Sequence, residues 1–266
     1  MASKFNNLKD YFFKQLIMKI KKGYGSFLKN KIMNYLIITV LYSVLFVLVL
    51  FTSVKNVPFI IGAGNYEFSR GVYVMLFFGL TLISFREYRR NKKGFEGENL
   101  VTSFLAKHFE DDYYLINDPT TLDSYGNIDH IILAPNGVFT LEIRNNRGKV
   151  TFFGEYWDHG RSPVKQAKIN AFKTYDLLHS SKIFSYPLFT QGIVVFPYAE
   201  VFFSPKPETP VLRLEEASEY IKSVEGERRY SNDDLEKMYN IITKQIAQSA
   251  NNEGGLSLTV REWLGV

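Results

Sequence analysis

The feature that most constrains this chain is an uncharged apolar run at 32–54, IMNYLIITVLYSVLFVLVLFTSV. About 20 such residues in a helix are enough to cross the hydrocarbon of a bilayer. The run predicts a transmembrane helix. It starts too late and is too long to be the apolar core of a cleaved signal peptide. A second apolar run occupies 71–85. It is short for a span, but Arg70 and Arg86 can snorkel outward and lengthen it. A second transmembrane helix is the expectation, and a buried or re-entrant helix is the alternative.

Charge sets the expected orientation. Lysines crowd before the first run, and Arg86, Arg89, Arg90, Lys92 and Lys93 follow the second. By the positive-inside rule both ends face the cytoplasm, so the chain is expected at the cell membrane as a two-pass protein. Residues 1–31 interleave lysines with Phe12, Phe13, Leu16, Ile17 and Ile20. They read either as a basic amphipathic helix lying on an anionic membrane surface or as a solvated positive flank. The net charge is +5. Because much of the excess sits beside the apolar runs, it is not by itself evidence for nucleic-acid binding. The chain has no cysteine, which excludes disulfides and thiolate-bound zinc.

The expected organisation is a basic segment at 1–31, a membrane hairpin at 32–85, a basic linker at 86–93, a folded domain at 94–200 and a helical extension at 201–266. Within the folded part, the patterns predict a helix over 98–108, a strand over 112–116 and a loop over 118–126. A hairpin follows at 127–147, then short strands around Gly154 and a helix over 164–179. An apolar strand at 190–196, a small edge strand at 211–214 and helices at 215–223 and 231–248 complete the order. Ser231 and Asp234 form the pattern of a capping box. The order predicts an α/β fold with a mixed sheet flanked by helices.

The hairpin carries the chemistry. Asn136-Gly137 between two β-branched runs predicts a type I′ turn at those two residues. That register puts Asp129 opposite Arg144 and Ile131 opposite Glu142. Side chains alternate faces, so Asp129, Glu142 and Arg144 share one face, and His130 points to the other, into the core. Two carboxylates at one sheet end can hold a hard divalent cation, since magnesium favours carboxylate oxygens and retains water. The plainer reading of the same residues is a structural ion pair between Asp129 and Arg144. Tyr156 and Trp157 read as bases' stacking partners or, more commonly, as core. His108, His159 and His179 show no metal-ligand spacing to one another.

Four motifs, in order, resemble the NERD (nuclease-related domain) family of the restriction-endonuclease-like, PD-(D/E)xK superfamily. They are Gly94-Phe95-Glu96-Gly97-Glu98, Ile128-Asp129-His130, Gly137-Val138-Phe139 with Glu142-Ile143-Arg144, and Pro163 with Gln166. The resemblance implies a restriction-endonuclease-like fold that hydrolyses DNA phosphodiester bonds with Mg2+ or Mn2+. It implies Asp129 and Glu142 as metal ligands, Glu98 as a further acid nearby, and Gln166 as a residue that supports the ligands or orients substrate. The family's lysine is Arg144 here. Arginine keeps its charge, so it can contact a phosphate but cannot serve as a general base. The expected function is a membrane-anchored, metal-dependent nuclease. The alternative is a catalytically inactive module that tethers nucleic acid or protein to the membrane.

Overall fold

A computed structural model describes residues 19–22, 27–51, 66–109, 112–117, 119, 128–157, 160–226 and 228–264. The chain divides into two compact units, Ser26–Glu96 and Met1–Gly25 with Gly97–Val266.

The first unit is built from helix α1 (Phe27–Phe51) and the first part of α2 (Tyr66–His108). Both are long and apolar enough to cross a membrane. Apolar side chains point outward all round α1, with Ile37, Val40, Leu41 and Val44 exposed. A helix apolar on every side has no polar face to give to water. Within the unit, the Phe46 and Phe78 rings pack at a tilt with centroids 5.7 Å apart. Arg70 donates from Nη2 to the Leu50 carbonyl at 2.5 Å, satisfying an acceptor in the last turn of α1.

Residues 86–93, expected as a basic linker, are helical, inside the single helix α2. Their Arg, Glu and Lys are good helix formers, and Arg90 pairs with Glu87 at 2.6 Å one turn away. The basic N-terminal segment also differs. Residues 1–18 lie outside the described residues, but Lys19–Lys22 is strand β1, not helix. It pairs in parallel with β2 (Tyr114–Asn117), so an open sheet edge outweighs local helical spacing.

The second unit holds a six-stranded mixed sheet in the order β1-β2-β3-β4-β7-β9. Its inner strands are β2, β3 (His130–Ala134), β4 (Gly137–Ile143) and β7 (Thr190–Phe196), and β9 (Val211–Arg213) closes the far edge. Every residue of β3 and β4 is buried, as expected for strands covered on both faces. On one face Ile132, Phe139 and Leu141 pack with Val101 and Leu105 of α2 and Ile221 of α4 (Leu214–Ser223). On the other, Ile131, Leu133 and Val138 pack with Leu178 of α3 (Pro163–Ser180) and with Leu235 and Met238 of α5 (Asn232–Leu264). Ser231 and Asp234 cap α5 reciprocally, Asp234 N donating to Ser231 Oγ at 3.2 Å and Ser231 N to Asp234 Oδ2 at 3.0 Å. Residues 201–266 therefore belong to the same unit, and the last helix extends past the expected end at 248 to Leu264.

A second sheet was not expected. Strands β5 (Arg147–Phe153), β6 (Tyr156–Trp157) and β8 (Tyr198–Phe203) assemble in the order β6-β5-β8. One face packs on α3 through Val150, Phe152, Val164 and Ala167.

The hairpin turn is also corrected. Ala134 pairs with Gly137, so the loop residues are Pro135 and Asn136. Proline holds φ near −65°, which excludes a type I′ turn. Long-range bonds set this turn. Asn136 Nδ2 donates to the carbonyls of Ile221 at 2.6 Å and Val224 at 2.8 Å, and Tyr230 N donates to Pro135 O at 2.6 Å. Gly137 is needed because an added Cβ would lie 2.6 Å from the Phe189 ring.

Candidate active site

The corrected turn moves each residue's partner by two positions. His130 pairs with Leu141 and Ile131 with Thr140, and the next step outward puts Asp129 beside Glu142. An even shift preserves faces. Asp129 and Glu142 therefore still share a face, now opposed instead of diagonal. At the strand end, Asp129 Oδ2 accepts from Ile143 N at 2.6 Å, which fixes this carboxylate against β4.

Glu142 is buried in the sheet and is the centre of the cluster. The expected pairing of Arg144 with Asp129 is corrected: Arg144 Nη2 reaches Glu142 Oε1 at 2.9 Å, its neighbour two positions back on the same face. The other oxygen, Oε2, accepts from Asn170 Nδ2 at 3.3 Å. Gln166 does not touch Glu142 in this structure but donates to Asn170 Oδ1 at 3.0 Å, one turn along α3. Ser162 caps this helix, with Pro163 in its first turn, so its entry is well defined. Gly192 of β7 lets α3 approach: an added Cβ would be 2.3 Å from the Ala167 carbonyl oxygen.

Glu98 reaches the cluster from α2. Next to it, Gly97 makes room for Asn145, whose Cβ lies 3.0 Å from where a Gly97 Cβ would be. Burial, then repulsion from Asp129, pushes the Glu142 carboxyl well above its ordinary range. Arg144 draws it down, Glu98 raises it further, and Arg161 draws it down. Carboxylates that repel inside a sheet favour either a proton or a cation. His130 is buried on the opposite face beside Thr102 Oγ1 at 3.2 Å, and burial lowers its pKa to about 4. It stays neutral at physiological pH and takes no part in the acid cluster.

Among the described residues, no group of three or more His, Cys, Asp or Glu side chains is gathered to hold a metal. The donor set is two carboxylates on one face. That suits a magnesium-like ion, which binds through one or two carboxylates and keeps water, and does not suit a closed protein cage. Sequence reasoning missed Asn170 and Arg161. The signal for Asn170 was present: it lies four residues after Gln166, on the same helix face.

Residues 93–197 match the nuclease-related domain, NERD, and the acid cluster around buried Glu142 lies in that segment. The chain is also similar to an uncharacterized protein of Bacillus anthracis, 41% identical over 59 residues. That match covers 21% of this chain and 28% of the relative's length. No solved structure matches the chain.

Proposed function

We propose that the nuclease-related domain is a metal-dependent nuclease acting on DNA phosphodiester bonds. The observation that carries the reading is the opposed pair of half-buried Asp129 and buried Glu142, with Glu142 driven to favour a positive partner. Asp129 and Glu142 would hold Mg2+ or Mn2+, with Glu98 adding negative charge. The ion would supply charge stabilisation at a phosphate and activation of water. A guanidinium is a fixed cation, so Arg144 would orient a phosphate instead of acting as a base. Asn170, backed by Gln166, holds the Glu142 carboxylate in one rotamer. The apolar helix α1 and the apolar part of α2 would anchor the domain at the cell membrane, with both ends cytoplasmic.

A second reading draws on one observation. Arg144 already pairs with Glu142 at 2.9 Å, which neutralises a would-be ligand. On that reading the domain binds nucleic acid or protein without cleaving. Plasmid nicking by the full chain in detergent, with Mg2+, separates the two. Cleavage that disappears in Asp129→Ala and in Glu142→Ala supports the nuclease. Salt-sensitive DNA binding without cleavage supports the binding module. Neither cleavage nor DNA binding sinks the nuclease and the nucleic-acid-binding module alike.

A further inference from the structure

The second sheet has an outer face that nothing in the described residues covers. Phe153, Tyr156, Tyr198 and Phe202 are 56%, 71%, 45% and 46% exposed. Strand register pairs Arg147 with Tyr198, Thr151 with Phe202 and Phe153 with Tyr156, so these rings form one surface. Cations lie over three of them: Arg147 is 5.2 Å from the Tyr198 centroid, Lys149 5.7 Å from Phe202, and Lys165 5.3 Å from Tyr156. The acid in this array is Glu200, opposite Lys149.

We infer that this face is a stacking platform for single-stranded nucleic acid, which deepens the nuclease reading and rests on it. Exposed rings interleaved with cations provide the two things a single strand offers partners for, unstacked base faces and phosphates. The face is continuous with the candidate site in the chain. β5 begins three residues after Arg144, about 10 Å of extended chain, or one to two nucleotides. In chain order β6 is followed by α3, which carries Gln166 and Asn170. A strand lying across the platform would therefore lead toward Glu142. Duplex DNA keeps its bases stacked and would engage only the cations.

The test is binding of a fluorescein-labelled 20-mer of thymidylate to the full chain in detergent, with EDTA present so that cleavage does not interfere. Phe202→Ala and Tyr156→Ala should each weaken binding roughly fivefold to a hundredfold. Arg147→Ala with Lys149→Ala should lower the slope of log affinity against log salt by about 1.4. Mg2+-dependent plasmid nicking by the wild-type chain is read beside the binding, so failure of the nuclease reading and failure of the platform are distinguished. Ring variants that bind as tightly as wild type overturn the inference, as does a duplex of equal length bound equally well. A membrane-facing role would also overturn it. The chain has no cysteine, so Phe153→Cys can carry an environment-sensitive dye. A blue shift in anionic nanodiscs without any oligonucleotide would report that outcome.

Discussion

Gly192→Ala offers a direct test of how the candidate site is held. The added methyl would lie 2.3 Å from the Ala167 carbonyl oxygen and 2.5 Å from its carbon. Both are backbone atoms, so no side chain can swing away. Ordinary contact begins near 3.4 Å, so α3 and β7 must separate by about 1 Å. The Asn170 to Glu142 bond stands at 3.3 Å and would pass the limit of a hydrogen bond. Overpacking costs about 1–3 kcal/mol. Losing a buried hydrogen bond to a charged group adds about 1.5–3 kcal/mol. Removing a strand glycine returns about 0.5–1 kcal/mol. The net loss is about 1.5–5.5 kcal/mol, a fall in Tm of roughly 3–22 °C for a unit of this size. Thermal unfolding of the full chain, followed by tryptophan fluorescence, measures it. Gly79→Ala is the control, since nothing lies within 4 Å of that position. A Gly192→Ala protein within about 0.5 kcal/mol of wild type would refute the close-packing argument.

Four further outcomes are expected. Glu142 is raised in the folded state, so its contribution is fully present at low pH and is lost as pH rises through the folded value. Glu142→Gln should therefore be more stable than wild type at pH 8 and lose that advantage near pH 4, read by urea denaturation; equal pH profiles would count against the buried acid. His130 behaves in the opposite sense: its pKa falls from 6.5 to about 4, so about 3 kcal/mol of stability disappears as pH drops across that window. An NMR titration of His130 with a midpoint near 6.5 would contradict this. Asn136→Ala removes two bonds to the end of α4 and should cost about 1–3 kcal/mol in chemical denaturation. Arg144→Lys, which substitutes the residue of the resembled motif, should increase Mg2+-dependent nicking; unchanged zero activity would favour the binding module.

Much of the sheet was legible because strand periodicity survives errors in the turn. The hairpin register was misplaced by two positions, yet Asp129 and Glu142 kept their shared face, because side-chain direction repeats every two residues. The turn itself was not legible, since its partners Ile221, Val224 and Tyr230 lie some 85 or more residues away in sequence. The strand at Lys19–Lys22 was missed for the same reason: it forms by pairing with β2, far along the chain. Strand β8 was overlooked, although Ala199 and Val201 alternate with exposed Tyr198 and Glu200. Asn170 could have been found from Gln166 by helical spacing. Arg161 had no such signal, because its influence on Glu142 exists only after β4 and the approach to α3 come together.

The clamp on Asn136 also sets a clock. Its partner Val224 follows 88 positions later, so at 5–20 residues per second the ribosome delivers it about 4–18 s after the turn. For that interval the hairpin bearing Asp129 and Glu142 exists without its anchor, while the apolar helices have already been made. The acid pair is thus among the last parts of the molecule to be fixed. A nascent chain halted near residue 200 should leave the hairpin open to protease, whereas one halted past residue 250 should protect it.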